Sequence, residues 1–223
     1  RSPELAFLRG VASWTTWDFE SMHANLQRAA AGFAAGGDDA RARFARAFLA
    51  HAQFAMGRID AAAATVEALR AQPLDPPAQV MALNAEIWLA IETCRHADVA
   101  PLLARMLEHL QALPQVNLWF HTTPPLRMPG LPGITPVLAH HAELMLQKAG
   151  EAPTPLRALG LLSQAWCELW RGRLDAARDL VGSARTDARW SGQSGAVRAH
   201  LLALDAVIAP IAGDASAAIA AAN

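Results

Sequence analysis

Apolar and polar positions along this chain follow a helical register. Over residues 40–56, Phe44, Ala47, Phe48, His51 and Phe54 recur at steps of three and four, and Leu159, Leu162, Trp166 and Leu169 do the same over residues 156–170. That spacing gathers side chains on one face of a helix. Helix-breaking clusters separate such runs: Gly36-Gly37-Asp38, Pro73-Leu74-Asp75-Pro76-Pro77, Pro153-Thr154-Pro155 and Ser191-Gly192. No run alternates with period two in β-branched residues, and the chain has no Tyr. The pattern predicts an all-α protein.

A short phrase returns between the helical runs. Gly57-Arg58-Ile59-Asp60-Ala61-Ala62 comes back as Gly172-Arg173-Leu174-Asp175-Ala176-Ala177, with degenerate copies beginning at Trp17, Arg95 and Gly213 and a blurred one expected at Gly133. Six units of about 39 residues then cover the chain. The phrase reads as the turn of a helical hairpin. Gly at its first position ends one helix in a left-handed conformation, the apolar third residue plugs the corner, and the acidic or Ser fourth residue caps the next helix. Ala at the sixth position lets two helices approach. Seven residues before the start of the phrase the side chain is small at Gly10, Ala50, Ala165 and Ala206, but Trp88 in the third copy.

Composition narrows the picture further. A chain of 223 residues that is 53% hydrophobic can bury a continuous core, and much of that fraction is Ala, which suits tight helix stacking. Even the most apolar stretch, residues 196–213, carries Arg198, His200 and Asp205, so no membrane span is expected. No leader-like segment opens the sequence, and Cys94 and Cys167 make no disulfide framework, which points to a cytoplasmic setting. The chain starts at Arg1 and ends inside a helical unit at Asn223, so it reads as a piece of something longer.

The repeat resembles the tetratricopeptide family, whose unit places Gly, an apolar residue, an acid and Ala at the offsets of Gly57, Ile59, Asp60 and Ala62. Its longer period, and the Gly172–Arg178 phrase, are more similar to the helical repeats of MalT-type, LuxR-family ATP-dependent transcription regulators. This resemblance implies a right-handed superhelical solenoid of antiparallel helix pairs, a single solenoid domain over residues 1–223. It further implies a sensor or interaction segment of a transcription regulator, binding a small-molecule effector or a regulatory protein. A tetratricopeptide-like adaptor that holds a peptide or partner protein is the alternative, and self-association is open to either. The nucleotide-binding loop of such regulators has no counterpart, since no GxxxxGK[ST] motif occurs and the single lysine, Lys148, follows no glycine-rich loop.

Charge and candidate chemistry exclude more than they assign. Nineteen basic residues stand against 20 acidic ones with no basic stripe, so direct nucleic-acid contact is not expected. Glu20 and His23 have the spacing of half a di-iron helix without its second half. Cys94 with His96, and His140 with His141, lack the spaced partners of a zinc site. Gly192-Gln193-Ser194-Gly195 is not a nucleophile elbow. No enzyme, cofactor or metal is expected.

Two features suggest binding. Aligned on the tetratricopeptide unit, the positions facing the concave groove are Phe7, Val11, Trp14, Phe44, His51, Phe54, Leu89, Trp166, Trp170 and His200. Leaving that surface in water costs about 25 cal/mol per Å², so a ligand, a peptide or the protein's own chain should fill it, unless the rings pack as core. Residues 114–136 replace the first helix of the fourth unit with six prolines plus Trp119, Phe120, His121, Arg127 and Met128. Proline removes backbone donors, which predicts an extended or looped segment. It is expected to fold over the groove, burying Trp119 and Phe120 and leaving His121 or Arg127 for a polar or anionic group, or else to plug the groove. The groove set is therefore Trp14, His51, Phe54, Trp119, His121, Arg127, Trp166, Trp170 and His200.

Overall fold

The computed structural model describes residues 2–114, 116–122, 131–191 and 195–213. Among them the secondary structure is entirely helical, with no strand. Contacts divide the chain into two compact units, Arg1–Pro124 and Pro125–Asn223.

The first unit holds α1 (Pro3–Thr15), α2 (Phe19–Ala35), α3 (Asp39–Ala55), α4 (Ile59–Arg70), α5 (Pro76–Glu92), α6 (His96–Gln111) and α7 (Val116–His121). Helices adjacent in sequence pack together from α1 through α6, and α3 also touches α5. The second unit holds α8 (Ile134–Ala149), α9 (Pro155–Trp170), α10 (Leu174–Ser191) and α11 (Gly195–Ile211), with α9 packed on the other three. The runs read from periodicity at 40–56 and 156–170 are α3 and α9.

The repeated phrase is a turn, and the hydrogen bonds show why. At Gly57 (φ 73°) the Gly57 N–H bonds to the Phe54 carbonyl at 2.8 Å and the Arg58 N–H to the Gln53 carbonyl at 2.9 Å. This is the paired bonding of a Schellman motif, which satisfies carbonyls that the helix end leaves open. The same two bonds close α1 at Trp17, α2 at Gly37, α5 at Cys94 and α9 at Gly172. Two readings of the sequence are corrected by this geometry. The third copy begins at Cys94, not Arg95, because Cys94 takes the left-handed conformation at φ 57°. A further copy, at Gly37, hides inside a segment that reads only as a breaker. The blurred copy at Gly133 has a left-handed residue that is the N-cap of α8.

In the corrected register the sixth position is Met22, Ala42, Ala62, Val99 or Ala177, and all five are buried to 1% exposure or less. The seventh position before the turn, formerly Trp88, becomes Ile87 at 1%. Helices approach closely at Gly10, where a Cβ would lie 2.8 Å from Cγ of Leu26 on the crossing helix. Around Ala62, the set Ala50, Val66, Ala85 and Leu89 joins α3, α4 and α5 in one small-residue core.

The acidic residue of the phrase does not cap its helix. Arg58 occupies the N-cap of α4 and makes no side-chain capping bond, while Asp60 sits in the first turn. There a carboxylate favours the positive end of the helix dipole, as does Asp175 in α10. Side-chain caps come instead from the residue directly after the left-handed one, Asp18 to the Ser21 N–H and Asp38 to the Arg41 N–H, each at 3.0 Å.

Candidate functional site

A ring cluster builds up inside the first unit from α1, α3 and α5. Phe7 and Trp14 are two turns apart on α1; Phe44, Phe48 and His51 follow at steps of four and three on α3. Trp14 stacks on His51, with centroids 4.0 Å apart and planes inclined by 13°. Phe48 meets Phe7, Trp14 and Phe44 edge-on at 5.2 to 6.1 Å, the offset arrangement that ring quadrupoles favour. At one margin His51 approaches Phe54 at 6.4 Å and Phe54 approaches Trp88 of α5 at 5.9 Å.

The cluster is closed by α7. His121 lies edge-on to Trp14 at 5.3 Å and to Phe48 at 5.7 Å, while Trp119 is fully buried. Thr122, also fully buried, extends the turn: its N–H bonds to the Leu118 carbonyl and its hydroxyl donates to the Trp119 carbonyl at 3.2 Å. The expectation that 114–136 is extended or looped is thus corrected at 116–121, where the chain is helical. Six residues between prolines suffice for one and a half turns, and burial of Trp119 supplies what an isolated short helix lacks. Pro136 falls in the first turn of α8, where its missing N–H costs nothing. His121 is not held out for a ligand either, being 6% exposed among the rings.

This interior carries polar atoms that the rings do not satisfy. The Asn84 amide and His51 Nδ1 lie 3.4 Å apart; with the amide donating, the ring proton of His51 sits on Nε2. Asn84 Oδ1, Trp88 Nε1 and His121 Nδ1 are buried without a hydrogen-bond partner among the described residues. Burial pushes His51 down to about 3, with His121 beside it adding to the shift, and burial pushes His121 down to about 4. Both imidazoles are therefore neutral at pH 7. Neutral imidazole between aromatic faces can donate or accept a hydrogen bond and can stack, but offers no charge and no general base near neutrality.

The second unit has a smaller aromatic pair. Trp166 is buried, with its Nε1 unpartnered among the described residues, and lies 6.0 Å from half-buried Trp170. His200 is buried on α11. Ion pairs tie this unit's helices together: Arg157 with Asp187, and Arg185 with both carboxylate oxygens of Asp205 at 2.8 Å. Arg171 and Arg173 both engage Glu168 across the phrase turn. Burial pushes His141 down to about 3 and the Cys167 thiol up to about 11, so Cys167 stays a protonated thiol near neutral pH.

The structure thus brings Trp14, His51 and His121 together, buries Trp119 on the same short helix as His121, places Phe54 at the margin of the rings, and puts Trp166, Trp170 and His200 in the other unit; Arg127 lies outside the described residues. Sequence reasoning missed Phe48, Trp88 and Asn84 as members. Phe48 was visible in the periodicity, and Asn84 is the lone amide in the otherwise apolar run Val80–Ala85, a signal that could have found it. Among the described residues no three His, Cys, Asp or Glu side chains converge on a metal position, and no helix is long and apolar enough to cross a membrane. Compared with known proteins, the chain matches no family model, no curated protein and no solved structure.

Proposed function

We propose that this chain is a binding and sensing module, a tetratricopeptide-like right-handed solenoid akin to the sensor segment of MalT-type transcription regulators. The ring face of α1, α3 and α5 is its recognition surface, and α7 is an internal occupant that an effector or regulatory protein displaces. What supports this is the coincidence of stacked rings with three buried polar atoms, Asn84 Oδ1, Trp88 Nε1 and His121 Nδ1, that have no hydrogen-bond partner among the described residues. A ring core assembled for stability alone gains nothing from such atoms, each of which costs about 1–3 kcal/mol when left unpaired. A ligand with an aromatic or apolar body and one or two hydrogen-bonding groups would satisfy them, and by binding only the state with α7 displaced it would shift a conformational equilibrium.

The adaptor reading is favoured by one further observation. The present occupant is itself a short helical peptide, Leu118-Trp119-Phe120-His121, so a partner segment of that kind would fit. One experiment addresses both readings. In the Trp119→Ala variant, α7 loses its buried anchor, and a synthetic peptide of residues 116–122 added in trans should bind saturably and quench Trp14 fluorescence. The unaltered chain should bind it at least about tenfold more weakly, since its own α7 competes at high effective concentration. Equal or absent binding in both proteins would remove α7 as an occupant of a recognition face.

A further inference from the structure

A second site lies on another side of α3 and is independent of the ring face. Arg46 and Leu49 of α3 form, with Ala64, Thr65, Ala68, Leu69 and Gln72 at the α4 side, a cleft of about 360 Å³. Arg46 stands roughly half a turn round α3 from Phe44 and Phe48, so the cleft and the ring cluster do not share a wall. We propose that this cleft binds a small aliphatic carboxylate, with its chain against Leu49, Ala64, Ala68 and Leu69 and its head group on Arg46.

Charge and polarity in the cleft carry the assignment. No acidic side chain lines it. Arg46 is half-buried and makes no ion pair or side-chain hydrogen bond among the described residues, although a guanidinium has five donors to place. Glu67 of α4 and Glu86 of α5 are both paired with Arg70. One turn earlier on α3, Arg43 Nε is buried and has no acceptor among the described residues. The carbonyls at the end of α4 do not answer this need, for Ala68 accepts from the Gln72 amide and Glu67 and Leu69 accept from the backbone of Ala71 and Gln72. Apolar walls with one unanswered guanidinium fit a ligand that is itself apolar with one anionic end, and a carboxylate meets Arg in the paired geometry that strengthens such a bond.

The volume suits a chain of several carbons, so octanoate is the probe. Titration of the full chain, followed by calorimetry and by amide shifts of residues 64–72, should show saturable binding with a Kd of about 1 mM or below. Acetate, lacking the chain, and octanol, lacking the charge, should each bind at least about tenfold more weakly. Arg46→Met keeps the length of the stem but removes the charge, and should weaken octanoate by about tenfold or more. Trp14→Leu, in the ring cluster, should leave it unchanged, which separates failure of this site from failure of the recognition face. Ala68→Phe, at an exposed position on α4, fills the cleft without touching Arg46 and should block binding even if the Arg46 variant folds poorly. Octanol binding as tightly as octanoate, no saturable octanoate binding, or full affinity in either cleft variant would overturn the proposal.

Discussion

Trp17 and Cys94 hold φ at 59° and 57°, a conformation that the same turn gives to glycine at Gly37, Gly57 and Gly172. A side chain there crowds the following carbonyl at a cost of about 1–2 kcal/mol, part of which glycine returns through a more flexible unfolded state. Cys94 is exposed, so little packing is lost with it. Cys94→Gly should therefore raise stability by about 0.5–1 kcal/mol in a urea melt, and Gly57→Ala should lower it by about 1 kcal/mol. A stabilised Gly57→Ala would contradict the turn geometry. These positions also explain what could be read in advance. Gly57 and Gly172 announce the turn because only glycine is at ease there, whereas Cys94 conceals it, and the third copy was displaced by one residue for that reason.

The buried imidazoles set a pH dependence at the same scale. His51 and His121 sit at about 3 and about 4 in the folded protein, against 6.5 for the free group. Unfolded chain thus binds protons before folded chain does. The stability these neutral rings contribute is complete above pH 6.5 and is lost progressively as pH falls below it toward the folded values. By pH 5 each histidine should have cost on the order of 2 kcal/mol. Denaturant midpoints measured from pH 8 to 5 should hold steady and then fall, and His51→Phe should make the descent shallower. A midpoint that rises on acidification would be inconsistent with neutral buried rings.

At the scale of elements, helices with long periodic faces were legible and the short one was not. Residues 40–56 and 156–170 carry enough turns for the pattern to show, and they became α3 and α9. The segment around Trp119 carries too few, and its neighbouring prolines argue for a loop; tertiary burial of Trp119 outweighs that local preference. Trp119→Ala should consequently destabilise the chain by about 3–5 kcal/mol, the usual cost of removing a large buried ring, as read by thermal or urea unfolding. An effect under 1 kcal/mol would mean that α7 adds little to the first unit. Helix crossings make the opposite demand. Ala177 is fully buried at its turn, and Ala177→Trp should destabilise by roughly 1–3 kcal/mol or more through overpacking.

For the whole molecule, α7 completes the ring core of the first unit, and the proposed function requires that it can also leave. The sequence led as far as an aromatic inner face that something must fill, because Trp14, His51 and Phe54 fall at groove positions of the repeat. It did not say what fills that face, since the answer depends on a contact between α1 and a segment about a hundred residues away. Native-state hydrogen exchange tests the joined claim most directly. The Thr122 amide, bonded to the Leu118 carbonyl at 3.0 Å, reports α7, and buried amides of α3 report the unit as a whole. If α7 is a displaceable occupant, Thr122 exchanges through a local opening at a free energy several kcal/mol below that of α3, with no dependence on denaturant. Exchange of both at the same free energy and the same denaturant slope would show that α7 leaves only when the unit unfolds, and would contradict the account.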